Sequence, residues 1–178
     1  PFHLGHEYML ESASKWRNAN NPNAPLIIAI GSSNRPQNLR NPWTHQERCQ
    51  MIETWATSNA IGNYVIYSIP DIDDPPNWVT HASRYHGQAG VLVTTDMSTA
   101  DLYTASGWEV VLLPLEQRER FEGWRVRETA RMLSTIGDQD AIREVLGTLI
   151  PMPVLEHLIE TNGLHRLAFM GEGGEPVG

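Results

Sequence analysis

Apolar positions along this chain follow two rhythms that take turns. Short runs rich in β-branched and aromatic residues occur at 26–30, 64–69, 90–93 and 108–113, and read as strands. Between them the spacing becomes helical. Residues 6–19 predict a helix, and the turn-rich stretch 20–25 ends it. A polar loop spans 32–42. Thr44 followed three residues later by Glu47 makes a capping box, which starts a helix to about residue 58 that buries Met51, Ile52 and Trp55. Residues 70–77 read as a loop, and 78–85 and 98–105 as short helices. From Trp124 onward the pattern is helical, with breaks near Gly137 and Pro151.

Strands separated by helices predict an α/β fold: a doubly wound parallel sheet covered on both faces, with a helical C-terminal part. Ligands of such sheets bind where strand carboxyl ends meet helix N-termini. One domain is expected over 1–170, followed by a flexible Gly-rich tail over 171–178. That tail lacks the lysine of a phosphate-binding P-loop and is assigned no function.

Composition narrows the class without deciding it. The 178 residues suit one domain with a sizeable core, and 40% hydrophobic with 19% charged is an ordinary globular mix. No apolar run reaches the length of a membrane span, so no membrane association is expected. The single cysteine, Cys49, excludes an internal disulfide and agrees with a reducing, cytoplasmic setting. A net charge of −8 disfavours general nucleic-acid binding. Basic residues are almost all arginine, with Lys15 the only lysine. Arg118, Arg120, Arg125, Arg127 and Arg131 cluster, either as a solvated helix face or as a phosphate site.

The segment Pro1-Phe2-His3-Leu4-Gly5-His6 carries the chemistry. Two histidines straddle a glycine just before a helix. Glycine permits close backbone approach, the helix start is expected to offer unpaired N–H groups, and imidazoles there can donate to phosphate oxygens. Taken alone, the segment could equally be a loop with two incidental histidines; a metal pair is the weaker reading, having no third ligand nearby.

These residues resemble the His-x-Gly-His signature of the nucleotidyltransferase superfamily. Gly31-Ser32-Ser33, Leu39-Arg40-Asn41-Pro42-Trp43-Thr44, Glu47-Arg48, Pro70-Asp71-Ile72, Trp78-Val79 and Asn162-Gly163 follow in the same order as in archaeal-type nicotinamide mononucleotide adenylyltransferases. The resemblance implies a Rossmann-like fold and transfer of the adenylyl group of ATP to nicotinamide mononucleotide, giving NAD and pyrophosphate. It implies ATP phosphate contacts from His3, His6, Arg40 and Arg127, with Mg2+ carried on those phosphates. It implies substrate contacts from Gly31 and Ser32, with Trp78 on the nicotinamide ring, Asp73 in the same loop, Asp96 near the adenosine and Phe121 against adenine. A homo-oligomer is expected by the same likeness. Acceptors such as nicotinate mononucleotide, pantetheine phosphate or flavin mononucleotide, or a catalytically weak NAD- or ATP-binding regulatory module, are the alternatives.

Two departures bear on this. The family places a strand ahead of the histidine motif, so the domain over 1–170 is expected to be N-terminally incomplete; a sheet that truly lacked that strand would expose backbone edges. Where the family carries Ser-x-Thr-x-x-Arg ending at Arg127, this chain has Glu122 and Trp124. A carboxylate there is expected to repel a triphosphate, with Arg120 and Arg125 able to offset it.

Overall fold

A computed structural model describes residues 1–114 and 121–171. Arg118, Arg120 and nearly all of the Gly-rich tail lie outside the described residues. The elements run α1 (Leu4–Asn20), β1 (Leu26–Ile30), α2 (His45–Ser58), β2 (Tyr64–Ser68), α3 (Trp78–His86), β3 (Val91–Thr94), α4 (Met97–Ala105), β4 (Glu109–Leu112), α5 (Gly123–Leu133), α6 (Gln139–Leu146) and α7 (Met152–Glu160). A 3-10 turn, Pro75–Asn77, leads into α3, and another, His165–Phe169, follows α7. Expected and observed bounds differ by two residues or fewer, as end fraying allows.

The chain forms two compact units. One comprises 1–7, 35–62 and the described residues from 121 onward; the other comprises 8–34 and 63–114.

The second unit holds the strands. β1 pairs with β2 in parallel, Leu26 opposite Tyr64 through Ile30 opposite Ser68. β3 pairs with β4 in parallel, Val91 opposite Glu109 through Thr94 opposite Leu112. Among the described residues these are two separate pairs, with no ladder between β1 and β3. Both strands line one largely apolar cavity of about 500 Å³, which Leu10 and Ala13 of α1 and the rings of Tyr103 and Trp108 also border. Alternation along β1 buries Leu26, Ile28 and Ile30 and leaves Ile27 exposed.

The first unit is helical. Its core gathers Met51, Trp55, Val126, Leu146, Ile150, Val154, Leu155, Leu158 and Leu167, each no more than 1% exposed. α2 opens on the expected box: the Thr44 hydroxyl accepts from the Glu47 N–H at 3.2 Å, and Glu47 Oε2 accepts from the Thr44 N–H at 2.8 Å. The same carboxylate accepts from Arg166 Nη1 at 3.0 Å, which ties the C-terminal turn to the start of α2. Burial alone would raise the Glu47 pKa, but the Thr44 N–H and the Arg166 guanidinium hold it below the usual carboxylate range. Trp43, 2% exposed, donates its indole N–H to the Gly163 carbonyl at 3.1 Å.

Thr44→Ala removes the cap acceptor while leaving Glu47 and Arg166 in place. It should cost about 1 kcal/mol in urea unfolding. Trp43→Phe keeps the ring but strands the buried Gly163 carbonyl, and should cost about 1–3 kcal/mol in the same measurement.

Candidate active site

Helix α1 begins at Leu4, so His3 is its capping residue. The His3 carbonyl accepts from the His6 N–H at 2.8 Å and the Glu7 N–H at 3.0 Å. Its ring Nδ1 accepts from the Gly5 N–H at 3.2 Å. The Leu4 N–H donates to the Leu149 carbonyl at 2.9 Å. All four N–H groups of the first turn therefore have partners, which corrects the expectation that they are left open for a ligand. Burial of this helix start required internal partners, and the imidazole supplies one. Because Nδ1 accepts, neutral His3 carries its proton on Nε2. The motif thus presents side-chain donors in place of backbone ones.

His3 and His6 stack with ring centroids 3.8 Å apart. His3 is only 6% exposed. Burial first, and then proximity to the His6 ring, which disfavours a second proton on the stacked pair, lower its pKa to about 2. His6 presents more surface to solvent, and its pKa is also pushed down, chiefly by the protein packed around it. Both rings are neutral donors near neutral pH. The motif is fixed from below. Phe2 packs 5.3 Å from the ring of fully buried Trp55, and Trp55 donates its indole N–H to Glu7 at 2.7 Å.

Two glycines let the parts meet. A Cβ on Gly5 would lie 3.0 Å from Phe121 Cβ and 3.1 Å from the His3 ring. A Cβ on Gly123 would lie 3.2 Å from Arg127 Nη1 and 3.7 Å from His3 Nε2. The His3 donor and the Arg127 guanidinium therefore share the start of α5. Arg127 is half-buried; burial lowers its pKa, yet it stays a cation. Arg40 stands exposed on a loop in which Asn38 Oδ1 accepts the Arg40 N–H at 2.9 Å and the Asn41 N–H at 3.0 Å.

The remaining expected site residues belong to the strand-bearing unit. Gly31 and Ser32 follow β1, and Ser32 adopts a left-handed φ of 57°. Asp71 holds that turn: it accepts from the Ser32 N–H at 3.1 Å and from its hydroxyl at 2.7 Å. Of the three acids in the 70–77 loop, Asp71, Asp73 and Asp74, the expected site includes Asp73 and not Asp71. Asp73 is exposed, with φ of 53°. Trp78 opens α3 beside His81, whose Nε2 lies 2.9 Å from the Pro70 carbonyl. Asp96 caps α4, accepting from the Thr99 N–H at 2.8 Å and the Ser98 hydroxyl at 2.5 Å. The structure thus brings His3, His6, Phe121 and Arg127 together in one unit, and Gly31, Ser32 and the Asp71 loop together in the other.

Parallel αβ pairs carrying a His-x-Gly-His motif at a helix start define a nucleotidyltransferase. The chain belongs to the cytidylyltransferase-like family, whose model matches residues 1–129. It is 29% identical to a nicotinamide-nucleotide adenylyltransferase of Thermoplasma volcanium, over 99% of this chain and 90% of that protein. It is 27% identical to the protein of that name from Haloarcula marismortui, over 97% and 89%. Its fold resembles a bifunctional NMN adenylyltransferase/ADP ribose pyrophosphatase from Francisella tularensis, solved with AMP and a manganese ion, at a TM-score of 0.58 and 19% identity. That match covers 94% of this chain, which spans about half (48%) of the bifunctional one.

The lowered His3 pKa makes a signed prediction. Below the ordinary histidine value of 6.5 the unfolded chain takes up a proton that folded His3 refuses until about pH 2. Stability from this group is complete above pH 6.5 and is lost as the pH falls. His3→Asn keeps a cap acceptor but cannot titrate. Its urea-unfolding free energy should fall less steeply between pH 6.5 and 5, the difference approaching about 1.4 kcal/mol per pH unit.

Proposed function

We propose that this protein transfers the adenylyl group of ATP to nicotinamide mononucleotide, forming NAD and releasing pyrophosphate. The observation that carries the reading is the neutral His3 Nε2–H donor set beside the Arg127 guanidinium at the start of α5. That donor set suits a polyphosphate: short, charge-matched and free of any nucleophile.

In the proposed reaction a phosphate oxygen of the mononucleotide attacks the α-phosphorus of ATP in line, and the bond to pyrophosphate breaks. No covalent enzyme intermediate is required. Catalysis rests on positioning and on donors aimed at developing charge. His3 and His6 donate to the phosphates, His6 to the transferring group, and Arg127 and Arg40 hold the β- and γ-phosphates. Being neutral, the imidazoles donate without first having to take up a proton. A divalent cation, magnesium in this reading, arrives on the triphosphate. Among the described residues no three His, Cys, Asp or Glu side chains gather to form a cage of their own.

On the acceptor side we assign Trp78 to the nicotinamide ring, where an indole face suits a cationic pyridinium. Gly31, Ser32 and Asp73 are further substrate contacts. Phe121 is assigned to adenine and Asp96 to the adenosine, the latter in addition to its capping role. A homo-oligomer and a cytoplasmic setting belong to the same reading; among the described residues no helix is long and apolar enough to cross a membrane.

Incubation with ATP, magnesium and nicotinamide mononucleotide should yield NAD and pyrophosphate in equal amounts. His6→Ala and Arg127→Ala should each lower kcat by about 10²–10³. Turnover only with nicotinate mononucleotide, pantetheine phosphate or flavin mononucleotide would reassign the acceptor. Tight nucleotide binding without pyrophosphate release would replace the enzyme by a binding module.

A further inference from the structure

Glu122 stands in the N-cap position of α5, where an acidic side chain ordinarily turns inward onto the helix N–H groups. Here it makes no side-chain cap bond. Its Oε2 accepts instead from the indole N–H of Trp124 at 2.7 Å and from Arg125 Nε at 3.3 Å. The Arg125 guanidinium in turn lies 4.8 Å over the Trp124 ring. The three side chains hold one another on the outside of the first turn, with Trp124 51% exposed. That exposure is unusual for a tryptophan and has no packing explanation in the core.

The helix start is correspondingly open. The N–H groups of Gly123 and Trp124 find no acceptor among the described residues, in contrast to the first turn of α1. A second, independent observation points to a ligand there. His3 is more than nine-tenths buried, and its Nε2 has no hydrogen-bond partner among the described residues. That nitrogen is aimed at Gly123, 3.7 Å from where a Cβ would sit, next to Arg127 Nη1. That nitrogen is not sealed off from solvent, so an acceptor arriving at this helix start can reach it.

We propose that Trp124, assisted by Arg125, is a positioning residue that holds the Glu122 carboxylate off the N-terminus of α5, so that this terminus can take a phosphate group of the nucleotide. The proposal rests on the adenylyl-transfer reading for the identity of that phosphate. It resolves the conflict raised by an acidic residue at this place: the carboxylate is present but engaged elsewhere. An exposed Glu–Arg pair alone is weak and screened. The short indole bond is therefore the element that decides which way the carboxylate faces.

The test is a charge-rescue series. Trp124→Phe keeps an aromatic ring and deletes the N–H. Freed, Glu122 turns onto the α5 N–H groups and competes with phosphate. KM for ATP should rise about two- to fivefold, with KM for the mononucleotide unchanged and kcat within about twofold. The double variant Glu122→Gln/Trp124→Phe carries no charge to compete and should return KM for ATP to that of the parent. A melting curve for each variant checks that folding is intact. Binding of inorganic tripolyphosphate by calorimetry should follow the same order without needing turnover. If NAD is not formed but tripolyphosphate binding weakens in Trp124→Phe and recovers in the double variant, the adenylyl reading fails and the positioning role stands. If NAD is formed but Trp124→Phe leaves KM for ATP unchanged, or the double variant is no better than Trp124→Phe, the positioning role is overturned.

Discussion

The hydrogen bond from the Gly5 N–H to His3 Nδ1 is the constraint on which the candidate site depends. It does two things at once. It satisfies a buried backbone donor that would otherwise destabilise the start of α1, and it fixes which nitrogen of His3 carries the proton. Folding and donor placement are therefore coupled. A His3 that lost this bond would cost the helix a cap and would also free the ring to present the wrong nitrogen. The small residue at position 5 belongs to the same device, because a Cβ there would collide with Phe121 and with the His3 ring.

The two helix starts in this unit are used differently. The first turn of α1 is closed by Leu149, by the His3 ring and by the His3 carbonyl, and reaches a ligand only through its imidazoles. The first turn of α5 is open, with its capping carboxylate turned away. One terminus is rigid because its backbone is satisfied; the other keeps backbone donors in reserve. Trp55 supports the α1 start. It is fully buried, packs on Phe2, and bonds Glu7 of α1, so the histidine motif rests on the helical core and not on a loose end.

Much of this was legible in the sequence, and the reasons differ by element. Strand β1 and the helix beginning after Thr44 were plain because periodicity and capping chemistry agreed there. For His3, His6, Arg40 and Arg127 it was the resemblance to a known family, not residue order alone, that implied phosphate contacts. What the sequence did not disclose depends on three-dimensional pairing. The bond from Leu4 to Leu149 spans most of the chain, and no local pattern announces it. Asp71 and Asp73 are equivalent as letters; only the left-handed turn at Ser32 shows why Asp71 is the one that binds it. Asp96, expected near a nucleoside, is also a residue type favoured at helix N-caps, and it fills that role in the structure. Glu122 and Trp124 are two separate departures as letters, whereas the structure joins them in one hydrogen bond.

An acidic chain handling a polyanion must solve its electrostatics locally. With a net charge of −8 the long-range field opposes ATP. At physiological ionic strength that field fades beyond about 8 Å. What decides binding is then the set of donors within contact distance, and each element here works at that range. The imidazoles are uncharged, so packing two of them face to face carries no repulsion that a pair of cations would suffer. Arg127 is half-buried, where its attraction for phosphate is less weakened by water. Glu122 is a negative charge at the start of α5 that could cancel these gains, and it matters only if it can rotate toward them. Binding an anion next to that carboxylate is therefore a question of side-chain orientation more than of charge count, and orientation is what the Trp124 indole controls.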